Sequence, residues 1–117
     1  MGLRINRKGI GNIVEGRYPA IIIGAKSRKT RFGGALLFEF ELTDEQHDGV
    51  RIDGMFPPDA TERNKTGRLL ANCGVQFNGD KGIEMDEIEG RPITIVVGKR
   101  EGKKYIFPCV RDTLPPI

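Results

Sequence analysis

The chain has 117 residues, enough for one domain, with 38% hydrophobic residues, no Trp, 16 Gly and 7 Pro, a composition that favours a small β-rich domain with many turns. No apolar run approaches the ~18 residues of a membrane span and the amino terminus lacks the apolar stretch of a secretory signal, so a cytoplasmic protein with no membrane partner is expected. The net charge of +3 is unevenly spread: residues 1–31 carry eight Lys or Arg against Glu15 alone, residues 32–90 five against thirteen acids, and residues 91–117 six against two, and localised basic segments point to an anionic partner.

Residues 1–16 read as a flexible basic arm, with Arg4, Arg7 and Lys8 among glycines and Ile13 and Val14 able to dock on a core. Residues 17–25 are β-branched and apolar and form the first predicted strand, where Pro19 suits an edge, a strand start or a bulge and Gly24 a bend or bulge. Residues 26–34, KSRKTRFGG, then read as a basic loop that sets Lys26, Arg28, Lys29 and Arg31 beside Phe32. Residues 35–43 alternate strictly, Leu36, Phe38, Phe40 and Leu42 on one face against Leu37, Glu39 and Glu41 on the other. This predicts a second strand with both Phe rings in the core.

A polar turn at 44–49 leads to a third strand at 50–56, paired as a hairpin with the second. After Pro57-Pro58, Asp59 or Thr61 can cap a helix running toward Cys73, with Leu69, Leu70 and Cys73 on its apolar side and Gly74 as its stop. Residues 75–82 read as turn and 83–90 as a short acidic helical turn. Residues 91–98 give a fourth strand, apolar on both faces, and 99–104 a hairpin turn holding Lys99, Arg100, Lys103 and Lys104. The fifth strand is expected over 105–111, with Tyr105, Phe107 and Cys109 on one face and Pro108 marking an edge or bulge, followed by a short extension at 112–117.

The chemistry-bearing residues are few and scattered. Cys73 and Cys109 stand far apart with no Cys-x-x-Cys spacing, and His47 sits alone in a polar turn, so packed thiols, no metal and no cofactor are expected. Ser27, the sole serine, has no histidine near it in sequence, and no catalytic set emerges. A binding protein, not an enzyme, is the expectation.

The predicted order of three strands, a helix and two strands is that of a mainly β, five-stranded oligonucleotide-binding (OB) barrel with one short helix between strands three and four. That fold uses the outer face of strands two and three, with the loops joining strands one to two and four to five, as its ligand site. The two most cationic loops fall at those two places.

The run Glu15-Gly16-Arg17-Tyr18 opening a strand, the basic loop, FEFEL in strand two, GRLLANCG in the helix and EIEGRPITIVV before the last hairpin together resemble the small single-stranded DNA-binding proteins encoded by tailed bacteriophages. The resemblance spans roughly residues 14–111. It implies an OB fold that coats single strands during phage replication or recombination, in the host cytoplasm, with little sequence preference. Many single-stranded DNA-binding proteins carry an acidic tail that recruits partners, whereas this sequence ends in LPPI.

On this reading Lys26, Arg28, Lys29, Arg31, Lys99, Arg100, Lys103 and Lys104 release counterions from phosphates. Phe32, Tyr105 and Phe107 offer stacking faces, with Tyr18 and Arg51 as weaker contacts. Glu39 and Glu41 oppose it, because alternation puts two carboxylates on the surface offered to the nucleic acid. Pairing with Arg51 or Lys26 would relieve that conflict, as would a strand that crosses the groove where bases, and not phosphates, approach. Two alternatives stand: a barrel serving as a protein-interaction or oligomerisation module, with acidic middle and basic ends meeting between copies, and an RNA-binding protein.

Overall fold

Apolar alternation in the sequence builds one antiparallel sheet. In the computed structural model, residues 13–30, 33–61, 63–75, 84–101 and 106–116 are described, Thr30 by its backbone alone. The elements are β1 (Gly16–Thr30), β2 (Gly33–Leu42), β3 (Arg51–Phe56), α1 (Lys65–Asn72), β4 (Pro92–Glu101) and β5 (Ile106–Leu114), with a short 3-10 turn at Met85–Glu87 before β4. The strand order in the sheet is β3-β2-β1-β4-β5.

β1 is the shared strand. Its first part pairs with β4, from Gly16 opposite Val97 to Ile21 opposite Pro92. Its later part pairs with β2, from Ala20 opposite Leu42 to Thr30 opposite Gly33. The register shifts between Ile22 and Gly24, so the bend expected of Gly24 is a β-bulge that lets one strand turn from one partner to the other. Backbone bonds from Ile22 N to Arg91 O (3.1 Å) and from Gly90 N to Ile22 O (2.7 Å) tie the bulge to the turn before β4.

The core is the inward face of this sheet. Phe38, Phe40 and Phe56 form an aromatic cluster, with centroids 5.1 Å apart for Phe38–Phe56 and 6.1 Å for Phe40–Phe56. Ile22, Leu42, Ile52, Ile93, Ile95, Val97 and Val110 complete it, and α1 adds Leu69 and Leu70. Both cysteines are buried and unbridged, and burial pushes the Cys73 thiol up.

No ladder joins β3 to β5 among the described residues. The two nevertheless pack together: a Cβ at Gly54 would run into the Val110 carbonyl and side chain, so glycine is what lets the backbones approach. Beside this contact Lys65 donates from Nζ to Met55 O at 2.8 Å and lies 4.5 Å above the Phe56 ring. A lysine bonded to a β3 carbonyl occupies an acceptor that a neighbouring strand would otherwise use.

Several boundaries differ from the sequence expectation. Of the predicted basic loop at 26–34, residues 26–30 continue β1 and 33–34 open β2. β4 likewise runs to Glu101, placing Lys99 and Arg100 in a strand, and β5 takes in residues 112–114 of the expected extension by reaching Leu114. The helix starts at Lys65 with Asn64 as its cap, not Asp59 or Thr61; the Asn64 side chain accepts from Gly67 N at 2.9 Å, and Thr61 Oγ1 instead accepts from Asn64 N at 3.2 Å. Of the expected arm, residues 1–12 lie outside the described residues, Ile13 is buried in the core and Gly16 opens β1.

Candidate nucleic-acid interface

The ladders end before the hairpins do, which leaves two two-stranded arms projecting from the sheet. Beyond Ser27 opposite Leu36, β1 and β2 continue together past the end of β3. Beyond Val97, β4 and β5 continue together past the start of β1. The arms carry Arg28, Lys29, Lys99 and Arg100, with Lys26 at the base of the first, and strand alternation sorts these cations onto two faces.

On β2, Glu41, Glu39, Leu37 and Ala35 point away from the core. Their partners on β1 are Ile21, Gly24, Lys26 and Arg28, and on β3 Glu41, Glu39 and Leu37 meet Arg51, Asp53 and Met55. The outer face thus grades along the strands. It is acidic at Glu39, Glu41 and Asp53, apolar at Leu37 and Met55, and basic at Lys26 and Arg28. Lys29, opposite Gly34, belongs to the other face.

The conflict raised by Glu39 and Glu41 has a local answer. Arg51 Nε donates to Glu41 Oε1 at 3.1 Å and Nη1 lies 3.7 Å from Glu39 Oε1. Arg51 therefore spends its guanidinium on these carboxylates and is not a free phosphate contact. Asp53 has no ion pair among the described residues, so the end of the face formed by Glu39, Glu41, Asp53 and Arg51 stays net acidic.

The second arm carries the same outer face across the sheet. Ile21 opposite Pro92 fixes the parity, so Thr94, Val96, Gly98 and Arg100 point outward. Arg100 stands opposite Phe107, and Gly98 opposite Cys109. Phe107 is 41% exposed and its neighbour Ile106 65%. Lys99, opposite Pro108, faces the other way.

Of the predicted site residues, Lys26, Arg28, Arg100 and Phe107 share the outer face, whereas Lys29 and Lys99 lie on the opposite one. Lys26, Arg28, Lys29, Lys99 and Arg100 are exposed and without side-chain ion pairs among the described residues. Arg31, Phe32, Lys103, Lys104 and Tyr105 lie outside the described residues. Tyr18 serves the body: its hydroxyl donates to Val14 O at 2.6 Å and its ring meets His47 edge-on at 5.4 Å, and His47 Nδ1 is 2.7 Å from Asp44 Oδ2.

Sequence reading missed Arg111. The β4–β5 register shifts between Val96, which faces Asp112, and Val97, which faces Val110, so Arg111 is the extra residue of a bulge. Its only sequence signal is a cation near the end of a strand whose partner carries a glycine. Among the described residues no group of three His, Cys, Asp or Glu could hold a metal, and no described helix is long and apolar enough to cross a membrane. Compared with models of known families and with curated proteins, the chain matches none.

Proposed function

We propose that this chain binds single-stranded DNA with little sequence preference, as a binding protein and not an enzyme, with its sheet wrapped into an OB-type barrel. The packing of β3 on β5 at Gly54 and Val110 supports the barrel. The observation that carries the function is the outer face, where Lys26, Arg28 and Arg100 have no carboxylate partner among the described residues and an exposed Phe107 ring stands across from Arg100. Such cations neutralise phosphates and release counterions, while an aromatic face stacks an unpaired base without reading its identity. The resemblance to phage single-stranded DNA-binding proteins extends the reading to coating single strands in replication or recombination within a host cell.

The net acidic rows at Glu39, Glu41 and Asp53 favour a second reading, a module that joins copies or partners through opposite charge. Titration of a fluorescent oligo-dT and the matched duplex at two salt concentrations separates the two. Tight single-strand binding that weakens steeply with salt is the expected result. Absence of binding at low salt would sink the first reading and leave the second, and competition with an RNA oligomer decides which nucleic acid is preferred.

A further inference from the structure

Lys26, Arg28, Lys29, Lys99 and Arg100 are exposed, with no side-chain partner among the described residues. Arg111 is different: three independent features fix it. The β5 bulge sets it outside the ladder register. Its side chain then lies over Gly98, where a Cβ would meet Cγ at 2.7 Å and Nε at 3.0 Å. Its Nη2 donates to Lys99 O at 2.8 Å.

Gly98 points to the outer face, the face of Arg100 and Phe107. The guanidinium is exposed and makes no ion pair among the described residues; the neighbouring Asp112 is turned to Arg68 at 3.2 Å. One N–H goes to the Lys99 carbonyl, and the rest of the fork stays available for a planar or tetrahedral anion.

We propose that Arg111, seated on Gly98 and pinned to the Lys99 carbonyl, is a preorganised phosphodiester subsite beside Phe107, so that the β4–β5 arm grips one backbone phosphate next to a stacked base. This rests on the single-stranded nucleic-acid reading above and goes beyond it by assigning a fixed contact where that reading has only diffuse charge. Prior fixing matters because a cation already ordered in its bound geometry loses less entropy on binding than a free lysine. Gly98 is then a positioning residue: it touches no nucleic acid but determines where the guanidinium sits.

The test uses the full chain and a fluorescent oligo-dT across a salt series, with thermal melting as a check on folding. Arg111→Ala is expected to lose about tenfold to a hundredfold in affinity, the scale of a charge-assisted contact. Gly98→Ala and Arg111→Lys preserve net charge, and each is expected to lose about tenfold. For all three the slope of log affinity against log salt should fall by about 0.7, the value for one phosphate on a single strand.

If Gly98→Ala and Arg111→Lys bind like the parent with unchanged slope, Arg111 is only one more surface charge and the proposal is overturned, while oligonucleotide binding stands. If the parent itself fails to bind at low salt, both readings fall together. Should Gly98→Ala fail to fold, Arg111→Lys alone decides, since it leaves the glycine and the bulge in place.

Discussion

The body of the sheet and the two arms that leave it meet opposite demands. In the body one face is buried and every second residue is apolar, so Phe38, Phe40 and Phe56 interlock and strand register is fixed by what must stay dry. Along the arms the cations are exposed on both faces, and residues such as Arg28, Lys29, Lys99 and Arg100 hold a strand through their ladder bonds. Stability therefore resides in the body, and cations without carboxylate partners gather in the arms. The two arms also differ from each other, because the first merely alternates its cations between faces whereas the second locks Arg111 across Gly98.

The largest effects should fall on the body. Phe40→Ala removes a fully buried ring from the aromatic cluster and should cost ~3–5 kcal/mol of unfolding free energy. Gly54→Ala drives a methyl into the Val110 backbone and should cost ~1–3 kcal/mol. Denaturant unfolding measures both. If Gly54→Ala were neutral, β3 would not be pressed against β5 and the wrapped sheet would be lost as a premise.

The arms should show the reverse, weakened binding at nearly constant stability. Lys26→Ala with Arg28→Ala, both on the outer face, should lower single-strand affinity about tenfold or more and reduce the salt slope by about 1.4, corresponding to two phosphates. Lys29→Ala on the opposite face should change either quantity little. Equal losses from the two variants, measured by the same titration, would mean that facing does not matter and that the arm acts as a diffuse cloud of charge. Phe107→Ala should cost ~1–3 kcal/mol of binding if its ring stacks one base.

The division between body and arms is also the division between what could and could not be read in sequence. Strands β2 and β3 are legible because burial of one face writes a period of two, which also puts Phe38 and Phe40 in the core, whereas the bulge beside Gly24 is signalled by a glycine inside an apolar strand. Residues 26–30 and 99–101 are strand too, yet they look like loops, since a strand wet on both faces has no apolar period to display. The helix is legible, but its cap is not: Asp59 and Thr61 are as suited as Asn64 in sequence, and only the folded chain turns around Asn64. Arg111 was invisible for a different reason. Its role depends on a bulge that shifts β5 by one residue and on a glycine thirteen positions earlier, a relation that exists only once β4 and β5 are paired.

A smaller effect is expected at Arg51, which lies in the body's ladder but on the arms' face. Its pairs with Glu39 and Glu41 are about half exposed, so Arg51→Ala should cost less than ~1 kcal/mol of stability. Because its guanidinium is committed to those carboxylates, affinity should fall less than for the paired Lys26 and Arg28 change. A loss as large as theirs would mean that the nucleic acid crosses the acidic rows and that Arg51 shields it from them.

The finest distinction concerns Lys65, the cation that sits in the body beside the β3–β5 contact. Burial lowers its ammonium below the usual 10.5, against an opposing pull from Asp112. In the window below 10.5 the unfolded chain then binds more protons than the folded one, so the contribution of this residue to stability rises as pH rises through that window. Lys65→Met removes the titration while keeping a flexible apolar stem over Phe56. Denaturant midpoints of parent and variant, followed into the alkaline range, should therefore diverge in favour of the parent, by less than ~1 kcal/mol for a half-exposed group. Parallel curves would show that Lys65 is as wet as the cations of the arms, and the boundary between the dry body and its charged extensions would have to move inward past the Met55 carbonyl.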